Sequence, residues 1–286
     1  MRKCILLVTV VFIIINLRAQ DAQSFTPSNM LGHKKFDLQL FNNLYTQTAY
    51  RNSDGKSVAL GNRATYLGSL FSYMYGVSKS SRFNLGFDIN FKSVHINPNS
   101  KSSPFNVFTF PNDSNSRSAI SSVGPKIKFS PFKALPNFSV QTSLWIPLKQ
   151  GSQDYPWLDY EQYTSWTRVF YSHMPNSKIQ LFYELDILAR IPKYAYQSGE
   201  LSTPLTFIAS YFPNSKFTLY GLLQYAPGYG KGANTIVNNY YAQAGAGTKY
   251  QITDKLQIEL LFTDFFASKN NGAGTTFNLG LRYLHL

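Results

Sequence analysis

Serine, histidine and acidic side chains are the residues of this chain that could do chemistry, and their spacing argues against most of it. On a β-strand, a histidine base and a serine nucleophile share a face only when they stand two residues apart. None of the four histidines, His33, His95, His173 and His285, is followed two positions later by serine. Ser172 and His173 are adjacent, which sends them to opposite faces of a strand. Ser93 and His95 share a face in the reverse order, beside a long loop, where a solvated strand end is the plainer reading. A metal centre needs clustered histidines and carboxylates, and the sequence has no such cluster. Asp154, Asp159 and Glu161 share one loop and would attract a divalent cation, but Pro156 and Trp157 between them suit a solvated loop. The glycine-rich run Gly228 to Gly232 lies between strands rather than before a helix, so it reads as loop. The expectation is no catalytic group, no metal and no cofactor.

The remaining charged residues have a pattern of another kind. Asp88, Lys92, Lys126, Lys128, Glu184, Asp186, Arg190, Lys249, Glu259 and Arg282 fall on the polar rows of segments that alternate with a period of two. In the clearest segment Phe83, Leu85, Phe87, Ile89 and Phe91 form one row, and Asn84, Gly86, Asp88, Asn90 and Lys92 the other. A strand puts these rows on opposite faces. Ile179 to Ile191 repeats it, with Leu181, Tyr183, Leu185 and Ile187 against Gln180, Glu184, Asp186 and Arg190.

Composition selects the setting for such strands. Aromatics make up 16% and charged residues only 14%, against about 25% charged in an average soluble domain. Mean hydropathy is −0.20, too low for a bundle of membrane helices. A membrane barrel with one apolar and one polar face accounts for both values. A charge on its lipid face would cost about 2–4 kcal/mol for a mid-membrane Lys or Arg, so the charged rows must point inward. There they either pair and fill the lumen or line a narrow aqueous path. The neighbouring Lys126 and Lys128 suggest anion preference if a path exists.

The row Tyr240, Ala242, Ala244, Ala246, Thr248, Tyr250 has tyrosine at both ends. Over ten residues the two rings stand roughly 33 Å apart. Tilt reduces this to roughly 25 Å, the height of the apolar band between two aromatic girdles. Tyr240 and Tyr250 are therefore expected at the two membrane interfaces.

The alternation predicts about twelve strands, at roughly 36–50, 64–78, 82–95, 118–130, 137–147, 162–173, 178–191, 203–212, 216–226, 237–252, 255–267 and 276–286. Short connections (Ser78–Ser81, Pro131–Asn137, Met174–Ser177, Pro213–Ser215, Thr253–Asp254) alternate with longer ones, including Arg51–Arg63, His95–Arg117, Leu148–Glu161 and Ser268–Thr275. Short periplasmic turns and long external loops give this alternation, and an even strand number puts both termini in the periplasm. Two turns repeat Pro-Asn-Ser-Lys, at 175–178 and 213–216. The short-turn side is basic, with Lys79, Arg82, Lys133, Lys178, Lys216 and Lys255, and Lys34 and Lys35 ahead of the first strand. Anionic headgroups, or a periplasmic protein partner, would suit that rim.

Residues 1–19 read as a secretory signal peptide: Met1-Arg2-Lys3, an apolar run from Cys4 to Leu17, then Arg18-Ala19. Residues 20–35 would form a short periplasmic segment and 36–286 the barrel. Cys4 is the one cysteine, so the mature chain would have no disulfide or thiolate site. The formal charge is +13, but export argues against nucleic acid as the partner.

At this point the chain resembles Gram-negative outer-membrane β-barrels. Asn278, Gly280 and Tyr283 in the last strand are similar to the signal read by the barrel-assembly machinery, although the chain ends His285-Leu286 rather than on an aromatic residue. Ala19-Gln20 and the stretch Val123 to Pro131 resemble uncharacterised porin-like barrels of the Bacteroidota. The resemblance implies an all-β, transmembrane, antiparallel up-and-down barrel in the outer membrane. Its implied partners are outer-membrane lipids and the assembly machinery. Three functional readings follow: a narrow channel for small polar solutes, anionic ones included; a non-conducting subunit or scaffold of an envelope complex; and a hydrolase, disfavoured without a His-x-Ser pair.

Overall fold

The structure is a computed structural model that describes residues 27–110, 113–148, 154–230 and 236–285. The signal-peptide segment and residues 20–26 lie outside the described residues, as does Leu286.

Among the described residues, fourteen strands form one sheet. They are β1 (Phe36–Arg51), β2 (Ser57–Gly76), β3 (Phe83–Asn97), β4 (Ser116–Phe129), β5 (Phe138–Pro147), β6 (Tyr163–Asn176), β7 (Ile179–Ile191), β8 (Glu200–Ser202), β9 (Leu205–Tyr211), β10 (Phe217–Tyr229), β11 (Asn239–Gln251), β12 (Leu256–Lys269), β13 (Asn271–Gly272) and β14 (Thr275–His285). β8 and β9 are one stave: both bridge β7 and β10, with a break at Thr203-Pro204, where proline has no N–H to donate. β13 prolongs β14 along β1. The last stave pairs with β1 from Phe36↔His285 to Thr46↔Thr275, so the sheet closes into an antiparallel barrel of 12 strands. The expected fold class and strand number hold.

The faces are inverted relative to a soluble protein. In β7, Leu185 and Ile187 are exposed, while Asp186 between them is 4% exposed. Asn84, Asp88, Ser139 and Gln251 are buried, whereas Leu85, Phe87, Leu223, Leu260 and Phe262 are exposed. Such a wall needs an apolar solvent outside.

The strands run past their expected limits at the long-loop end. β1 and β2 form a ladder to Arg51↔Ser57 where a loop from 51 to 63 was expected. Asn52 holds the turn, its Oδ1 accepting from the backbone N–H groups of Asp54 and Lys56 at 3.0 Å each. Above the apolar band both strand faces are wet, so hydropathy loses its period while the backbone ladder continues. The repeated Pro-Asn-Ser-Lys turns are alike: Asn176 accepts from Lys178 N at 2.9 Å and Asn214 from Lys216 N at 3.0 Å.

The segment after β3 folds over the outer wall. Its 3-10 turn, Pro104–Thr109, buries Val107 on Leu44 and Leu67, which continue outward rows. Phe105, Phe108 and Phe110 remain exposed, with Phe110 edge-on to Phe91 at 5.6 Å.

Candidate functional site

A segment folded into the lumen occupies the short-turn end. Residues ahead of β1 turn into the barrel instead of away from it. Leu31 packs with Met74 and Leu284, and its backbone N–H and carbonyl are both held by the Asn84 amide at 3.1 Å. Ser28 is fully buried; its hydroxyl meets that of Ser172 at 2.8 Å and its carbonyl accepts from Ser139 Oγ at 2.8 Å. Lys128 donates to the carbonyls of Pro27 at 2.5 Å and Asn29 at 2.6 Å. Gly76 makes room for the strand entry, since a Cβ there would collide with the carbonyl oxygen of Gly32.

At the long-loop end, residues 154–162 turn inward. Asp159 pairs with Lys92 on the inward row of β3 at 2.7 Å, and Arg190 of β7 lies 4.0 Å from the Tyr160 ring. Leu158 and Glu161 are buried. The loop therefore touches walls on different sides of the mouth. Burial alone would raise the Asp159 carboxyl. The Lys92 ammonium beside it outweighs that and holds it below the usual carboxylate range. The other two acids of this loop face separate side-chain cations: Asp154 faces Arg117 at 3.7 Å and Glu161 faces Lys193 at 3.8 Å. Among the described residues no group of three or more His, Cys, Asp or Glu could hold a metal.

Against the insert ahead of β1, with Pro27, Asn29 and Leu31 in its lining, lies a cavity of about 490 Å³. Lys126, Lys128, Glu184, Asp186, Lys249, Glu259 and Arg282 line it; Asp88 and Arg190 do not. Asp88 stands behind Lys126 and accepts from it at 2.7 Å, from Ser143 at 2.9 Å and from Trp145 Nε1 at 3.1 Å, while Lys126 also meets Ser72. Arg190 pairs with Glu200. Lys249 faces Glu259 at 3.6 Å, and Glu259 accepts from Tyr220 at 2.5 Å. Arg282 forks onto Asp37, Nε at 3.0 Å to Oδ1 and Nη2 at 2.7 Å to Oδ2. On the wall from β9 round to β1, amides and hydroxyls hydrogen-bond in sequence: Gln224 to Thr206 at 2.8 Å, Gln243 to Gln224 at 2.5 Å, Thr263 to Gln243 at 2.5 Å, Thr263 with Thr276 at 2.6 Å, Asn278 to Thr276 at 3.0 Å, and Asn43 to Asn278 at 2.6 Å. Tyr240 and Tyr250 lie at opposite ends of the outward row of β11, against Tyr225 at 5.7 Å and Phe217 at 6.4 Å.

Ser93 and His95 do not act as a pair. Ser93 donates to the Val107 carbonyl at 3.4 Å, and His95 Nδ1 meets Ser116 Oγ at 2.5 Å. Ser116 is 1% exposed, so its hydroxyl has no access to a substrate.

Sequence reasoning missed Asp37, Arg168 and both inserts. Asp37 stands in a legible row with Gln39, Phe41 and Asn43. Arg168 was hidden because Trp166 and Phe170 share its inward row and blur the alternation of β6.

No protein-family model matches the chain, and no curated protein matches its sequence. Among solved structures it is similar to the COG4313 outer membrane channel from Pseudomonas putida F1, with 10% identity, TM-score 0.67, and coverage of 90% of this chain and 98% of that one. It is also similar to the β-domain of the Bordetella autotransporter BrkA, with 10% identity, TM-score 0.54, and coverage of 87% and 99%. Both likenesses place the chain in the outer-membrane β-barrel fold.

Proposed function

We propose that this protein is an integral outer-membrane barrel that works as a narrow, gated channel for small polar solutes. The observation that carries this reading is the chamber. Its interior is not filled by side chains; about 490 Å³ remains open against the folded-in segment ahead of β1, a size typical of small-molecule sites. The Lys126–Lys128 pair gives no free anion site, because Asp88 neutralises one lysine and backbone carbonyls hold the other. The wall carries both signs, which suits polar solutes over simple anions. In this reading export is by the Sec route, both termini are periplasmic and the basic short-turn rim meets inner-leaflet headgroups or a periplasmic protein.

The test is single-channel conductance of the mature protein in a planar bilayer, with heat-modifiable gel migration as proof of folding. Small steps that widen when residues 27–31 are removed support a gated channel. A silent bilayer with a folded barrel overturns it. That result would favour a scaffold, for which the exposed Phe105, Phe108 and Phe110 offer a docking edge.

A further inference from the structure

Hydrogen bonding is complete along most of the chamber wall, but not on β6 and β7. Arg168 and Asp186 face each other across the ladder, and Glu184 stands two residues before Asp186 on the same row. None of the three forms an ion pair among the described residues. Asp186 Oδ1, Arg168 Nε and Trp166 Nε1 have no hydrogen-bond partner among the described residues. Asp186 is 4% exposed, and it and Arg168 line the cavity. The Arg168 guanidinium lies 4.1 Å from the Trp166 ring and 5.5 Å from the Phe170 ring. Stacking fixes its plane and leaves its edge as the donor.

Buried polar atoms are paired in nearly every protein, so an unpaired donor and acceptor on facing residues mark a place where something else binds. Two carboxyl groups on one row attract an ammonium group, and a stacked guanidinium edge attracts a carboxylate. We propose that Arg168, Glu184 and Asp186 form a binding site for small zwitterions of the α-amino acid class. The ligand's ammonium group sits on Glu184 and Asp186 and its carboxylate on Arg168. In such a ligand one carbon separates the two charged ends, which suits residues opposed across a single ladder. The inference rests on the channel reading for its physiological meaning, but the site can be tested without it.

The experiment is calorimetric titration of the folded, detergent-solubilised mature protein with L-alanine, propylamine and propionate. Alanine should bind saturably, and the amine and the acid more weakly by about tenfold or more, since each forfeits a hydrogen bond to a charged group. Arg168→Gln should weaken alanine binding by a similar factor and leave propylamine unchanged; Arg168→Lys, which keeps the charge, should restore part of it and is the variant to use if the glutamine form lacks heat-modifiable migration. Asp186→Asn with Glu184→Gln should weaken alanine and propylamine together. Equal binding of alanine and either half-ligand overturns the zwitterion assignment, and no saturable alanine binding overturns the site. Alanine binding with a silent bilayer removes the channel and keeps the site; conductance without alanine binding does the reverse.

Discussion

Two stretches of the lumen wall carry buried charge and use it differently. On β3–β5, Asp88 has partners for both oxygens, and the lysine it neutralises reaches across to β2. On β6–β7, Arg168, Glu184 and Asp186 stand together without an ion pair, beside open volume. The first arrangement stiffens the barrel. The second keeps binding capacity in reserve at a cost in stability. A row of charges along a strand therefore does not reveal its role; the neighbouring strand decides it.

Breaking the closed stretch should have the largest effect. Asp88→Ala leaves Lys126 buried without its counter-ion and should lower stability by about 3–5 kcal/mol, measured by urea unfolding in liposomes. Leu185→Arg, on the apolar back of the open stretch, should cost about 2–4 kcal/mol by the same assay; Gln180→Arg on the inward row should cost less, and equal losses would contradict the facing of β7. Lys128→Ala should free residues 27–31 at a cost of about 1–3 kcal/mol for the carbonyls it leaves unpaired, and raise single-channel conductance. At the long-loop mouth, Asp159 contributes to loop docking while it is ionised. Because its folded carboxyl is depressed, that contribution is present at neutral pH and is lost as pH falls through and below the ordinary carboxylate range. Trp157 fluorescence should report the loosening, and Asp159→Asn should abolish the pH response. Asp186→Asn should lower stability least, because it removes a buried carboxylate that forms no ion pair among the described residues; a loss as large as that of Asp88→Ala would erase the contrast between the two stretches.

The barrel was legible because alternation along a strand is a local property. Phe83 to Lys92 and Ile179 to Ile191 announce both faces without reference to any other segment. The charged rows were legible for the same reason. Their pairing was not, because Asp37 meets Arg282 only through barrel closure, and Arg168 meets Asp186 only through the register of β6 on β7. The inserts were opaque for a different reason. Residues 27–31 and 154–162 have no period, and their places depend on single polar contacts such as Asn84 to Leu31 and Lys92 to Asp159.

The fork between Asp37 and Arg282 bears on how the barrel finds its seam. The two residues are 245 positions apart in sequence and meet only when the last stave reaches the first. A slip of two residues between β1 and β14 would keep every side chain on its proper face, so hydropathy alone cannot reject it. It would carry the guanidinium about 6.6 Å from its carboxylate and leave both charges stranded, at a penalty of several kcal/mol. The pair thus acts as a proofreading mark, distinguishing the correct closure from its nearest competitor at the last step of assembly.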